Sequence, residues 1–182
     1  ISHKVQHALH LTRDEHQRWA EILGAKGWLG WGWPQEHGGP GWNAVQRHLF
    51  EQERALAGAP RVVPFCPVMV APVIMAFGTP AQQQRYLAPL LQARRRPAYA
   101  ITEAEAGSDV SGIRSTATRT AAGWRLDGSK LWIHNAPVAD FAVVLARTDA
   151  AAGKRGMSIF VVDLDRPGVR AGAKEHKMGQ RA

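Results

Sequence analysis

The chain has 182 residues, of which 45% are hydrophobic and 21% charged, and its formal net charge is +8 at pH 7. This composition indicates a globular protein of one or two domains and excludes an apolar run long enough to span a membrane. The basic residues are scattered apart from residues 94–96, so a basic face or an acidic small-molecule ligand is favoured over nucleic-acid binding. The single cysteine, Cys66, excludes an internal disulfide and fits a reducing, cytoplasmic compartment.

Three histidines open the chain at helical spacing, namely His3, His7 and His10. Such spacing is compatible with a metal site. No carboxylate or cysteine completes the set, so a solvated helix face is favoured and no metal site is assigned.

The first half of the sequence predicts helices. Residues 12–15, 43–46 and 79–82 each form a capping box, and the third also has proline at the first helical position. Residues 27–42 are rich in Gly, Trp and Pro, which predicts a loop. Residues 65–77 are almost wholly apolar, and their prolines predict a helix with a bent or delayed start. That stretch is either core or the wall of a pocket.

The second half changes to short strands separated by turn signals. Strands are expected at residues 113–120, 124–126, 129–133, 141–147 and 157–164. Helices followed by strands predict an α+β protein. We expect an all-α domain over residues 1–97, followed by a mainly antiparallel, β-barrel-like domain over residues 98–182.

Two segments carry the chemical information, residues 99–109 (YAITEAEAGSD) and 130–135 (KLWIHN). In the first, a strand-like run precedes a turn with two hydroxyls and with Gly107, where a ligand can approach the backbone. In the second, an aromatic and a polar side chain end another predicted strand. Hydrogen-bonding turns beside an aromatic wall suit a large planar cofactor that carries phosphate. Taken alone, the same residues would serve as turn caps, with Trp132 as ordinary core.

In order and separation, these segments resemble the two flavin-contacting motifs of the acyl-CoA dehydrogenase family. Further blocks at residues 33–41, 77–87 and 177–182 resemble the same family in the same order. The resemblance implies a helical domain, a middle β domain and a C-terminal four-helix domain, of which the last is missing from this chain. The catalytic glutamate of the family belongs to the missing part, so no catalytic residue is assigned.

The resemblance implies FAD as the cofactor. Its expected contacts are Tyr99, Ile101, Thr102, Gly107, Ser108, Trp132, Ile133 and His134. Thr102 is expected at the polar edge of the flavin ring, and Trp132 is expected to cover the ring. Gly107 and Ser108 are expected at the pyrophosphate, and Ser108 also near the CoA arm of the substrate.

The resemblance also implies an activity and partners. A family-like enzyme of fatty acid metabolism would oxidise the Cα–Cβ bond of an acyl-CoA thioester and pass a hydride to flavin N5. An electron-transfer flavoprotein would then accept the electrons, and the enzyme would be a homodimer or homotetramer with no nucleic-acid or membrane partner. Alternatives on the same scaffold are a flavin monooxygenase or oxidase, and a non-catalytic partner subunit.

Three residues depart from the pattern of the family. His134 stands where threonine or serine is usual, so it either donates to flavin N5 and makes the chemistry pH-dependent, or turns away. Ala104 replaces a common proline, which leaves the turn less pre-organised. Glu105 brings a carboxylate near the expected pyrophosphate, and we expect it to point to solvent.

Overall fold

The computed structural model describes residues 1–63 and 65–175, so the block predicted at residues 177–182 lies outside the described residues. The chain divides into two compact units, Ile1–Arg95 and Arg96–Ala182. The described part of the first unit contains the α-helices α1 (Ser2–Gln6), α2 (Arg13–Ala25), α3 (Ala44–Leu56), α4 (Ala71–Phe77) and α5 (Pro80–Leu91).

Helices α2, α3 and α5 begin at the three capping boxes, which confirms that prediction. At the start of α2, the Thr12 hydroxyl accepts the Glu15 N–H at 3.2 Å, and the Glu15 carboxylate accepts the Thr12 N–H at 2.7 Å. Each box satisfies two N–H groups that have no partner inside the helix, so the point at which the helix begins is fixed locally.

The apolar stretch begins as a π-helical segment, Phe65–Val70, and the α-helix α4 starts only at Ala71, which confirms a delayed start. Val70 and Ile74 are buried, and the Trp33 indole N–H donates to the Pro67 carbonyl at 2.9 Å. Phe77, in contrast, is 85% exposed. One side of the stretch therefore belongs to the core of the first unit, and a role as a pocket wall stays a prediction.

The second unit is built on five strands, β1 (Pro97–Ala100), β2 (Thr116–Thr120), β3 (Gly123–Asp127), β4 (Phe141–Arg147) and β5 (Met157–Asp163). Strand β4 pairs with β5 in antiparallel fashion over its whole length and with β1 in parallel fashion over its first four residues. Strand β2 meets the end of β4 at Arg147 and continues as an antiparallel hairpin with β3. Because a strand has two edges, β1 and β2 share the edge of β4 that β5 leaves open. The sheet is mixed and its longest ladders are antiparallel, as expected.

The strand predicted at residues 129–133 is wrong. Gly128 has φ +151° and Trp132 has φ +56°, and both values interrupt an extended backbone. The segment is instead irregular and is tied to the chain after β1 by one backbone hydrogen bond, from the Leu131 N–H to the Thr102 carbonyl at 2.9 Å.

Two kinds of feature are absent from the described residues. No helix there is long and apolar enough to cross a membrane. No group of three His, Cys, Asp or Glu side chains there is placed to hold a metal ion. The His3 and His7 rings stack with their centroids 4.2 Å apart, and His10 lies outside α1.

Candidate functional site

The two predicted cofactor segments meet in the second unit. Beyond the end of β1, the Ile101 carbonyl accepts a hydrogen bond from the Lys130 ammonium at 3.0 Å. The next carbonyl, that of Thr102, accepts the Leu131 N–H at 2.9 Å. Ile133 packs against the cluster of Ala98, Ala100 and Ala142 on one face of the sheet. Residues more than 25 positions apart in the chain thus form one local structure.

A tight turn follows Thr102 and presents Gly107 and Ser108 to solvent. The turn is closed by reciprocal hydrogen bonds, from the Glu103 N–H to the Ala106 carbonyl at 2.8 Å and from the Ala106 N–H to the Glu103 carbonyl at 3.2 Å. A Cβ added at Gly107 would meet only the Thr102 methyl group, at 4.0 Å. The backbone at Gly107 is therefore open, as a site of close ligand approach requires.

Asp109 acts as a cap for the short 3₁₀ helix Val110–Gly112. Its carboxylate accepts hydrogen bonds from the Ser111 hydroxyl at 2.8 Å and from the Ser111 N–H at 3.0 Å. These two bonds hold the pKa of Asp109 below its ordinary value. The local, turn-capping interpretation is correct for Asp109.

Glu103, at the start of the turn, forms a buried ion pair with Lys130. The Lys130 Nζ and a Glu103 carboxylate oxygen are 2.8 Å apart, and their side chains are 11% and 8% exposed. The same carboxylate accepts the N–H groups of Arg114 at 2.7 Å and Ser115 at 3.0 Å. Burial disfavours the charged form of Glu103, but the hydrogen bonds from Lys130, Ser115 and Arg114 outweigh it and lower the pKa to about 2.

Neither member of this pair was predicted as a site residue. Both lie inside the two cofactor segments, residues 99–109 and 130–135. A glutamate in a turn is usually solvated, and nothing local indicates that Glu103 is buried or which cation is its partner. The available signal was that the first segment carries three acidic side chains and the second a single lysine.

Two residues of the second segment have a left-handed backbone conformation. Trp132 has φ +56° and Asn135 has φ +66°, and the Trp132 side chain is 58% exposed. A bulky residue rarely adopts this conformation, which persists only where its surroundings fix it. His134 lies between them and is half-buried. The segment therefore exposes an aromatic side chain one residue beyond Leu131, whose N–H is bonded to the Thr102 carbonyl.

The predicted cofactor residues differ in their surroundings. Tyr99 lies on β1, opposite Val143 in register, and its side chain projects from the face opposite that of Ala98 and Ala100. Ile101 and Thr102 are half-buried where β1 ends, and Gly107 and Ser108 are exposed. Ile133 packs into the hydrophobic cluster. The structure thus brings all eight predicted residues into one unit, and their contacts with a flavin stay predictions.

The arrangement is suited to binding rather than to acid–base chemistry. It offers an open glycine, two hydroxyl side chains and an exposed indole, which fit a planar cofactor with phosphate groups. Glu103 is unsuited to be a general base, because its pKa is about 2 and both of its oxygens already accept hydrogen bonds.

Comparison with protein families gives two matches that together cover almost the whole chain. Residues 2–94 match the family model described as acyl-CoA dehydrogenase, N-terminal domain. Residues 98–182 match the model described as acyl-CoA dehydrogenase, middle domain.

Among curated proteins, the chain is 36% identical over 163 residues to the acyl-CoA dehydrogenase IpdE1 of Mycobacterium tuberculosis, covering 88% of this chain and 42% of that protein. It is 38% identical over 149 residues to the caffeyl-CoA reductase-Etf complex subunit CarC of Acetobacterium woodii, covering 80% of this chain and 39% of that protein.

Among solved structures, a glutaryl-CoA dehydrogenase from Mycobacterium smegmatis in complex with FADH2 is similar at 31% identity and a TM-score of 0.76. The match covers 91% of this chain and 42% of that one. The chain spans about two fifths of the length of the curated relatives that it matches.

Proposed function

Because the chain belongs to the acyl-CoA dehydrogenase family, we propose that the full protein is an FAD-dependent oxidoreductase that dehydrogenates the Cα–Cβ bond of an acyl-CoA thioester. The observation that carries the proposal is the hydrogen-bonded junction of residues 99–109 and 130–135, of which the first has an open glycine and the second an exposed indole. The similar structure that holds FADH2 supports the choice of cofactor.

We assign the chain the task of holding the flavin and shaping its surroundings. Tyr99, Ile101 and Thr102 would lie along the ring, with Thr102 donating to its polar edge. Gly107 and Ser108 would face the pyrophosphate, and Ser108 would also lie near the CoA arm. When bound, the flavin would supply the hydride acceptor for the oxidation.

The second segment would complete the flavin site. Trp132 would cover the ring and exclude water from one side of it, with Ile133 and His134 near the dimethylbenzene-to-N5 side. Exclusion of water strengthens each hydrogen bond made there. No residue described here is assigned as the catalytic base.

His134 is proposed as a pH-dependent donor towards flavin N5. An imidazole titrates near neutral pH, whereas the hydroxyl usual at this position does not. The rate of flavin reduction in a His134→Thr variant, measured across pH 5–9, tests this role. We expect the rate to depend on pH differently in the two proteins, and an unchanged profile would assign His134 no part in the chemistry.

The proposed partners follow from the same family. A relative whose name describes it as a subunit of a reductase-Etf complex supports an electron-transfer flavoprotein as the electron acceptor. A homodimer or homotetramer in the cytoplasm completes the proposal. Size-exclusion chromatography with light scattering would test the oligomeric state, and a monomeric protein would contradict it.

A second candidate is the reverse reaction, reduction of an enoyl-CoA thioester. It is favoured by the reductase named among the relatives. The two directions differ in their substrates, since a reductase would reoxidise the reduced flavin when an α,β-unsaturated thioester is added.

The decisive experiment is the visible absorption spectrum of the full-length protein, recorded without oxygen before and after thioesters are added. The panel includes straight-chain acyl-CoAs, glutaryl-CoA and an arylpropionyl-CoA. Bleaching of the flavin band by one class would support dehydrogenation and identify that substrate class. If no acyl-CoA bleaches the flavin band, but an enoyl-CoA added to the reduced protein restores the oxidised band, the result would support the reductase.

The remaining outcomes contradict the proposal. A flavin band that no thioester changes, with rapid reaction of the reduced flavin with oxygen, would support an oxidase or monooxygenase. A protein that takes up no flavin would support a non-catalytic partner subunit.

A further inference from the structure

The buried ion pair between Glu103 and Lys130 has no part in the function proposed above, and yet it joins the two segments of the proposed site. The two residues are 27 positions apart, and their charged atoms are 2.8 Å apart. A buried pair of charges is weak evidence for stability as such, because desolvation offsets much of the attraction. Its place behind the site therefore calls for a further explanation.

The carboxylate of Glu103 is the point at which three chain segments converge. One oxygen accepts the Ser115 N–H and the Lys130 ammonium, and the other accepts the Arg114 N–H. Charge-assisted hydrogen bonds of this kind are short and directional. Removal of the carboxylate would leave the N–H groups of Arg114 and Ser115 without this acceptor and the Lys130 ammonium without its counter-charge.

The ammonium of Lys130 extends this junction to the backbone of the site. It donates to the Ile101 carbonyl at 3.0 Å, and so fixes the orientation of the Ile101–Thr102 peptide. The described residues have no cis peptide bond, so the N–H of that peptide points away from Lys130.

The neighbouring peptide, between Thr102 and Glu103, is held at both ends. Its carbonyl accepts the Leu131 N–H and its N–H donates to Ala106. Among the described residues, the Thr102 N–H donates to no other backbone group. The Lys130 ammonium polarises the Ile101–Thr102 peptide through its carbonyl, and this polarisation makes the Thr102 N–H a stronger hydrogen-bond donor.

We propose that Glu103 and Lys130 are a positioning pair for the flavin, which act behind the site by fixing the Ile101–Thr102 peptide against residues 130–134. The inference rests on the proposed function, because it assumes that this surface holds FAD. It extends that function by naming two residues that tune the cofactor through the backbone.

A positioning pair makes two effects testable on the full-length protein. The first needs no cofactor: hydrogen–deuterium exchange of the FAD-free protein in residues 99–109 and 128–136. We expect Glu103→Gln to raise exchange in both segments together by about tenfold, since one broken junction releases both. Lys130→Arg keeps the charge and should give a smaller increase. The matched control is Glu15→Gln, which removes the carboxylate of the Lys4–Glu15 pair in the other unit and should leave both segments unchanged.

The second effect is on the bound flavin. Glu103→Gln leaves a positive charge uncompensated and should raise the reduction potential of FAD, whereas Lys130→Gln leaves a negative charge and should lower it. Loosening of the structure alone would shift both variants in the same direction. Both variants should also weaken FAD binding by about tenfold in a fluorescence titration.

The outcomes distinguish the junction of the two segments from its effect on the flavin. Unchanged exchange in Glu103→Gln would overturn the junction. Shifts of the potential in the same direction would overturn the effect of the two charges on the flavin and support positioning of the peptide alone, and an unchanged potential in both variants would overturn the positioning role. If the wild-type protein takes up no FAD, the proposed function and with it the positioning role fall, while the exchange measurement still decides whether the pair joins the two segments.

Discussion

In the helical unit, the starts of α2, α3 and α5 are fixed by pairs of residues three positions apart. In the sheet unit, the candidate site is fixed by hydrogen bonds between residues 11 to 29 positions apart. A local contact affects one helix end when it is lost, whereas a long-range contact releases two segments at once. The difference explains why the proposed binding surface depends on residues that do not themselves face a ligand.

Two carboxylates, one in each unit, differ in how far they are exposed to water. Glu15 pairs with Lys4 and Glu103 pairs with Lys130, and at each site the lysine together with further hydrogen bonds lowers the pKa of the glutamate to about 2. The Glu15 side chain is 23% exposed and that of Glu103 is 8% exposed. Water can replace a lost partner at Glu15, but a lost partner at Glu103 leaves a charge in the interior.

The largest expected effect is that of Lys130→Met, with Lys4→Met as its control. Removing one member of a buried pair should lower the free energy of unfolding by about 4 kcal/mol. Lys4→Met should cost far less, because its partner faces water. Urea denaturation of the full-length proteins would measure both, and equal losses would remove the distinction between the two pairs.

The backbone at Gly128 should be the next most sensitive position. A Cβ there would lie 2.3 Å from the Ser115 hydroxyl oxygen and 2.7 Å from the Ser115 Cα, on a residue with φ +151°. Gly123 also has a left-handed φ, +132°, but nothing within 4 Å of its added Cβ. Gly128→Ala should cost about 3 kcal/mol in thermal or urea unfolding and Gly123→Ala about 1 kcal/mol, because only the first adds a clash to the strain. The reverse order would contradict the close packing at Ser115.

Acid should weaken the sheet unit through Glu103. The pKa of its carboxyl group is about 2 when folded and 4.5 without the fold, so its contribution is complete above pH 4.5. The contribution is lost as pH falls from 4.5 to 2 and amounts to about 3 kcal/mol at most. Between pH 7 and pH 2, the free energy of unfolding should fall more steeply for the wild-type protein than for Glu103→Gln. Parallel curves would contradict the low pKa.

The smallest expected effect is local to the helical unit. Thr79→Ala removes the acceptor of the Gln82 N–H at the start of α5 and should cost about 1 kcal/mol in urea unfolding. Hydrogen exchange should increase in the first turn of α5 and not in residues 99–109. An increase in that distant segment would show that the two regions are coupled.

Local rules explain what could be predicted from the sequence. The capping boxes were found because both residues of each box lie within one helical turn. Strand β4 has the predicted bounds, Phe141–Arg147, because a run of β-branched and apolar residues is flanked by polar ones. The family motifs identified the two segments of the candidate site before the fold was known.

Long-range contacts explain what could not be predicted. Residues 129–133 have the composition of a strand, but the hydrogen bond from Leu131 to Thr102 and the left-handed Trp132 impose an irregular course. Strand β2 begins at Thr116 instead of residue 113, because Arg114 and Ser115 donate their N–H groups to Glu103. The role of Glu103 and Lys130 depends on burial, which no local pattern around either residue reveals.

The central claim is that residues 99–109 and 130–135 form one flavin site. A crystal structure of the full-length protein with FAD tests it most directly. We expect the flavin ring against Ile101 and Thr102 with Trp132 beside it, and the pyrophosphate at Gly107 and Ser108. A flavin bound elsewhere, or a protein that crystallises without it from a solution saturated with FAD, would contradict the claim.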